Sequence, residues 1–96
     1  MTITRYYLMI AKEGQTDCLR EALLSLGAKV KELDGCTGVE LYQDAMDTLR
    51  FHFLEFWDSV DAHRAAGEAL GKDAFMPVIM AVSQKPSGSY LNRIAP

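Results

Sequence analysis

Residues 49–66 read LRFHFLEFWDSVDAHRAA. An antiparallel strand with one wet face alternates apolar and polar residues. Here Phe51, Phe53 and Trp57 stand on one alternation and Leu54 and Phe56 on the other, so this strand must be covered on both sides. The chain then turns polar and helical. Asp58 is placed to N-cap a helix, with Asp61 adding negative charge near the positive end of its dipole. Val60, His63, Gly67 and Leu70 follow at spacings of three, four and three, which puts His63 on the inward stripe beside Val60. A fully covered strand running into a helix with an inward imidazole predicts the mouth of a pocket at the junction.

The rest of the chain supplies elements to cover that strand. Residues 3–11, ITRYYLMIA, read as a strand, with Ile3, Arg5, Tyr7 and Met9 on one face and Tyr6, Leu8 and Ile10 on the other. Thr16 is a suitable N-cap for a helix whose buried stripe is Leu19, Leu23, Leu26, Val30 and Leu33. Gly35 suits a left-handed C-cap. Residues 36–43 form a second strand, in which Val39 and Leu41 alternate against Glu40 and Tyr42. A short turn leads to the third strand, residues 48–57, making an antiparallel hairpin. After the His63 helix, residues 73–83 predict another short helix capped by Asp73, with Pro77 tolerable in its first turn. Residues 90–94 predict a fourth strand, at an edge or reaching toward a partner.

The order β-α-β-β-α-α-β in 96 residues predicts a single α+β domain over 1–96. It would be a ferredoxin-like split βαβ arrangement with a four-stranded antiparallel sheet and all helices on one face. The other face, apolar from strands one and three, would form a large exposed patch in a lone subunit. A homodimer packed through that sheet face, as a dimeric α+β barrel, removes the patch.

Charge narrows the partners. The net charge is −3 and no three basic residues are consecutive, which argues against nucleic acid and anionic membrane as partners. No segment approaches the ~20 apolar residues of a membrane span. The N-terminus, whose apolar run is broken by Arg5 and Lys12, does not read as a signal peptide. The expected location is the cytoplasm. Cys18 and Cys36 flank one helix, ~24 Å apart by helical rise, too far for a disulfide. With no Cys-x-x-Cys motif and two isolated histidines, no metal site is expected.

Gly35-Cys36 opening the second strand, Tyr42 near its end, Glu55-Phe56-Trp57 closing the third, His63 on the next helix and Phe75 beyond it together resemble the antibiotic biosynthesis monooxygenase (ABM) family of the dimeric α+β-barrel superfamily. The resemblance implies a small dimer with a pocket between helices and sheet in each subunit. It also implies cofactor-independent oxygenation of quinols or anthrones by dioxygen, with neither metal nor flavin. The haem-degrading branch matches poorly. It uses an Asn in strand one, absent from residues 1–12, and a His where Gly67 stands. Phe53 occupies the position of an Asn found in some anthrone oxygenases.

On this reading the ligand is a small, flat, apolar aromatic molecule. His63 is the candidate base, since an imidazole accepts a phenolic proton at neutral pH; the alternative is a buried His hydrogen-bonded to backbone. Trp57 either stacks on the ligand or fills the strand–helix corner. Tyr42 either donates to a ligand oxygen or sits in water at the sheet edge. Tyr7 and Phe53 complete the expected substrate-binding set. Glu55, if buried, needs a partner, and Arg5, Arg50 and Arg93 are the candidates for an ion pair. Two further functions fit the same scaffold: a non-catalytic binding or regulatory module, and a lactone or polyketide isomerase or decarboxylase.

Overall fold

The computed structural model describes residues 2–96. Along the chain come β1 (Ile3–Ile10), α1 (Thr16–Val30), β2 (Cys36–Gln43), β3 (Arg50–Trp57), α2 (Val60–Leu70), α3 (Met76–Ala81) and β4 (Ser87–Leu91). The sheet order is β2-β3-β1-β4 and every pairing is antiparallel. This is the expected α+β, ferredoxin-like arrangement. One chain makes an open sheet, not a closed barrel, because β2 and β4 are edges with no strand beyond them.

β3 is central because its sequence tolerates nothing else. Phe51, Phe53, Glu55 and Trp57 are buried on the helix-covered side, while His52, Leu54 and Phe56 on the opposite side are half-buried. Against the first set α1 lays Leu19, Leu23, Leu26 and Val30, all essentially inaccessible. Each buried Leu or Val of such a stripe contributes ~1.5–3 kcal/mol of hydrophobic stabilisation. Val78 and Ala81 of α3 close the far end of this core. The opposite sheet face, with Tyr6, Leu8, Ile10, Leu54 and Phe56, has no helix over it and stays half-buried.

Several boundaries differ from the sequence expectation. Helix α1 ends at Val30, and Leu33 lies in a tightened turn where its N–H bonds the Val30 carbonyl at 3.0 Å. The N-cap of α1 is Gln15 rather than Thr16, without a side-chain bond. Ser59, not Asp58, caps α2: its hydroxyl accepts from the Ala62 N–H at 3.0 Å. Asp58 instead ties the junction together by donating its own N–H to the Gly35 carbonyl at 2.8 Å. Gly35 takes the left-handed conformation expected of it, with φ +87°, but it is not the cap of α1, which ends earlier with Lys31 as its C-cap. β3 begins at Arg50 because Asp44 and Asp47 fold the preceding loop, their carboxylates accepting from the N–H groups of Met46, Asp47 and Leu49. Residues 73–83 do not form one helix. Lys72–Phe75 make a 3₁₀ turn, and α3 starts afresh at Met76 with Pro77 in its first turn. β4 occupies 87–91, three residues earlier than expected, since pairing with β1 and not apolar content sets its position.

Candidate functional site

Antiparallel register brings polar residues together at one end of the helix-covered face. Arg5 of β1 lies opposite Glu55 of β3 on one side and Tyr90 of β4 on the other. Tyr7, two residues on, shares their face. Helix α2, anchored by its Ser59 cap, points His63 down onto this group.

His63 is held by two phenols. Its Nε2 lies 3.1 Å from the Tyr7 hydroxyl and its Nδ1 lies 2.7 Å from the Tyr90 hydroxyl. Trp57 and Tyr90 present rings to it edge-on, at centroid distances of 5.5 and 5.3 Å. Below the imidazole, Glu55 is 3% exposed. It accepts the Trp57 indole N–H at 3.0 Å, and its Oε1 lies 3.8 Å from His63 Nε2. The Arg5 guanidinium sits over both phenol rings, 4.8 Å from the Tyr7 centroid and 4.4 Å from that of Tyr90. Such cation–π contacts favour a desolvated guanidinium. Gly88 makes room for it, because a Cβ there would collide with the Arg5 guanidinium.

Burial sets the protonation states. It pushes the Glu55 carboxyl up to about 7, against the Trp57 hydrogen bond and the Arg5 charge, which favour the carboxylate. It pushes His63 down, helped by the positive charges of Arg5 and Arg64, so the imidazole is neutral at neutral pH. It also raises the Tyr7 phenol, with the Glu55 charge adding to the effect.

A cavity of about 20 Å³ opens between these groups, lined by Tyr7, Glu55, Trp57 and His63 and walled by apolar side chains that include Val30, Leu33, Leu70 and Phe75. That is space for one water-sized group. An open surface groove of about 590 Å³ runs outside it, bordered by His63, Arg64, Gly67, Glu68, Gly71 and Lys72. His63 and Gly67 border both spaces, so only a helix turn lacking a side chain at Gly67 separates them.

Of the residues picked out from sequence, His63, Trp57 and Tyr7 come together here. Phe53 lies beneath them, fully buried in the core with its ring 6.3 Å from that of Tyr7, and does not line the cavity. Tyr42 does not reach the site. It pairs with His52, is 54% exposed on the opposite face of the sheet, and bonds Glu40 at 3.1 Å. The expected arginine ion pair of Glu55 is absent among the described residues, its place taken by the indole N–H and the imidazole. The unsingled members are Tyr90 and, as a site residue, Arg5. The alternation of β1 did place Arg5 beside Tyr7, whereas nothing in β4 marks Tyr90. His52 faces away, 2.6 Å from the Tyr6 hydroxyl. Among the described residues, no three His, Cys, Asp or Glu side chains are grouped to hold a metal ion.

Comparison with known proteins bears on this arrangement. A family profile described as antibiotic biosynthesis monooxygenase matches residues 2–69, which include Tyr7, Glu55, Trp57 and His63. No curated protein matches the chain. Among solved structures, a candidate antibiotic biosynthesis monooxygenase from Bordetella bronchiseptica superposes with a TM-score of 0.86 at 14% identity, covering 98% of each chain. One from Nitrosomonas europaea gives 0.87 at 18% identity, covering 99% of this chain and 92% of that one. A Pseudomonas aeruginosa protein gives 0.80 at 24% identity, covering 98% and 95%. At these identities the superpositions speak to the fold.

Proposed function

The chain belongs to the antibiotic biosynthesis monooxygenase family, and we propose that it binds a small, flat aromatic molecule at His63 and oxygenates it with dioxygen without a cofactor. The substrate class is an electron-rich quinol or a polycyclic anthrone. The observation that carries this reading is the His63 imidazole facing a cavity between two phenols and an indole. His63 takes the acidic proton of the substrate at Nε2, leaving a phenolate or carbanion. That anion passes one electron to dioxygen, and the radical pair collapses to a C–O bond. Loss of water from the resulting peroxide leaves a carbonyl, so one oxygen atom enters the product and the other leaves as water. Trp57 and Tyr7 orient the ring.

The ligand enters from the outer groove past Gly67, since 20 Å³ does not admit an aromatic ring. A second copy of the chain covers the open sheet face, where Tyr6, Leu8, Ile10, Leu54 and Phe56 lie without a helix. No helix is long and apolar enough to cross a membrane among the described residues, and we place the activity in the cytoplasm. A second reading, a proton-shuttling isomerase of a lactone or polyketide intermediate, is favoured by Glu55 standing beside His63 in one cavity.

Oxygen-electrode measurements with a panel of hydroquinones and anthrones test the first reading. Uptake should fall by ~10²–10⁴-fold in His63→Ala. No uptake above the blank, or equal uptake in the variant, rejects the oxygenase. Proton exchange on a lactone without uptake selects the isomerase.

A further inference from the structure

Among the described residues Glu55 is the one buried carboxyl group, and the oxygenation steps above give it no task. Buried carboxyl groups normally sit in ion pairs or accept several hydrogen bonds. This one accepts a single bond, from Trp57, and turns the same oxygen toward His63 at 3.8 Å across the cavity they both line. We propose that Glu55 and His63 work as one proton-carrying pair, in which the Glu55 carboxyl holds the proton that His63 takes from the ligand. The proposal deepens the reading of His63 as proton acceptor and rests on it.

The geometry sets the direction of transfer. In the tautomer with its proton on Nδ1, the imidazole donates to the Tyr90 hydroxyl 2.7 Å away. That tautomer leaves Nε2 as the acceptor, facing the Tyr7 hydroxyl at 3.1 Å and the cavity that Tyr7 also lines. When Nε2 gains a proton, its nearest anionic acceptor is Glu55 Oε1. Since 3.8 Å exceeds hydrogen-bond reach, the proton passes through one water in the cavity of about 20 Å³: the Nε2–H bond breaks, an Oε1–H bond forms, the water is regenerated and the imidazole returns to neutral, with no electrons exchanged.

Charge balance allows the pair to take up one proton. Arg5 and Tyr7 face the pair from β1, Cys36 from β2, Arg64 from α2 and Tyr90 from β4. Helix α1 and the 3₁₀ turn contribute only apolar wall to the cavity, through Val30 and Phe75. Glu68 and Lys72 border the outer groove with opposite charges. With Arg5 always cationic, the empty pair leaves the site neutral and the doubly protonated pair gives a buried site two positive charges, so the pair has room for one proton from the ligand. The singly protonated pair has two forms of equal total charge, proton on Glu55 or proton on His63, so one proton moves between them without changing the charge of the site.

The test needs neither substrate nor oxygen. Carboxyl ¹³C shifts of Glu55 and ring ¹⁵N shifts of His63 are followed by NMR in the unmodified protein as pH is varied. The pair predicts that both nuclei move through the same step in the neutral range. In Glu55→Gln the His63 curve should lose that step and its remaining midpoint should fall by about 1 pH unit, as removal of a nearby carboxylate requires. Glu55 titrating alone while His63 stays flat through the same range overturns the proposal, as does an unchanged His63 curve in Glu55→Gln. If that variant does not fold, the two wild-type curves decide. Absence of oxygen uptake would reject the oxygenase and leave these curves as they are.

Discussion

Replacing Glu55 with Gln should change how stability depends on pH more than it changes stability at any one pH. The folded protein holds the Glu55 carboxyl at about 7, while the unfolded chain titrates it near 4.5. Below 4.5 both states keep the proton and burial of the neutral acid is unopposed. As pH rises, the unfolded chain releases its proton first, so stability drains away until the folded carboxyl has also ionised. A shift of that size corresponds to ~3 kcal/mol lost between about pH 4.5 and 8. His63 acts with the opposite sign. Its folded pKa lies below 6.5, so its contribution is present above that pH and is lost as pH falls. Comparing the two proteins at equal protomer concentration leaves of the His63 contribution only the change that the substitution makes in its titration, and Gln itself does not titrate. Urea unfolding of wild type and Glu55→Gln at pH 4.5, 6, 7 and 8 measures the difference directly. Gln should gain ~3 kcal/mol on wild type across the series, or ~10–20 °C in Tm for a domain of this size. A difference constant to within ~0.5 kcal/mol would mean that Glu55 is solvated or fully paired, and the description of the buried site would fail.

Three other outcomes follow from the geometry. Gly35→Ala should lower stability by ~2 kcal/mol or more, since φ is +87° and the added Cβ would stand 2.7 Å from that of Ala62; thermal unfolding checks it. Ser59→Ala removes the hydroxyl that accepts the Ala62 N–H and should cost ~1 kcal/mol in urea unfolding. Leu54→Glu places a charge on the open sheet face opposite Tyr6 and next to Glu40, and sedimentation should show the proposed dimer replaced by monomer, with the helix content by circular dichroism unchanged.

The sheet was legible because its central strand could be nothing else. Apolar residues on both alternations from Phe51 to Trp57 demand coverage on both sides, and the flanking hairpin and the Leu19–Val30 stripe supply one of the covers. Parts of the site were legible for the same reason: helical spacing placed His63 inward and the strand end placed Trp57 at the corner. The Tyr42 assignment ran against a signal already present. If Val39 and Leu41 face the helices, the pleat sends Tyr42 the other way, which is where it lies. Tyr90 had no signal at all. Every residue of β4 is exposed, so nothing in its sequence fixes a register, and only pairing with β1 decides that Tyr90 falls beside Arg5. The cap of α2 was hidden by ambiguity between the neighbouring Asp58 and Ser59, which both suit the position, whereas α3 begins after Phe75 with no side-chain cap to mark it.

Glu55 shows how a short spacing can dictate chemistry. In β3 the alternation that buries Phe51, Phe53 and Trp57 leaves Glu55 no choice of side. Two residues apart on one face, the indole of Trp57 and the carboxyl of Glu55 meet at 3.0 Å, so the strand that buries the acid also provides its first donor. An indole has only one N–H, and the nearest guanidinium, across the strand pair on Arg5, is held by two phenol rings instead of by the carboxylate. Burial with one donor is too little to keep the acid ionised, and its pKa rises toward neutrality. A second donor from a side chain at position 5 free to reach it would have made a structural ion pair. Because Tyr7 and Tyr90 hold that side chain, the remaining capacity of Glu55 is turned toward His63, and a residue buried by the pleat becomes available to carry a proton.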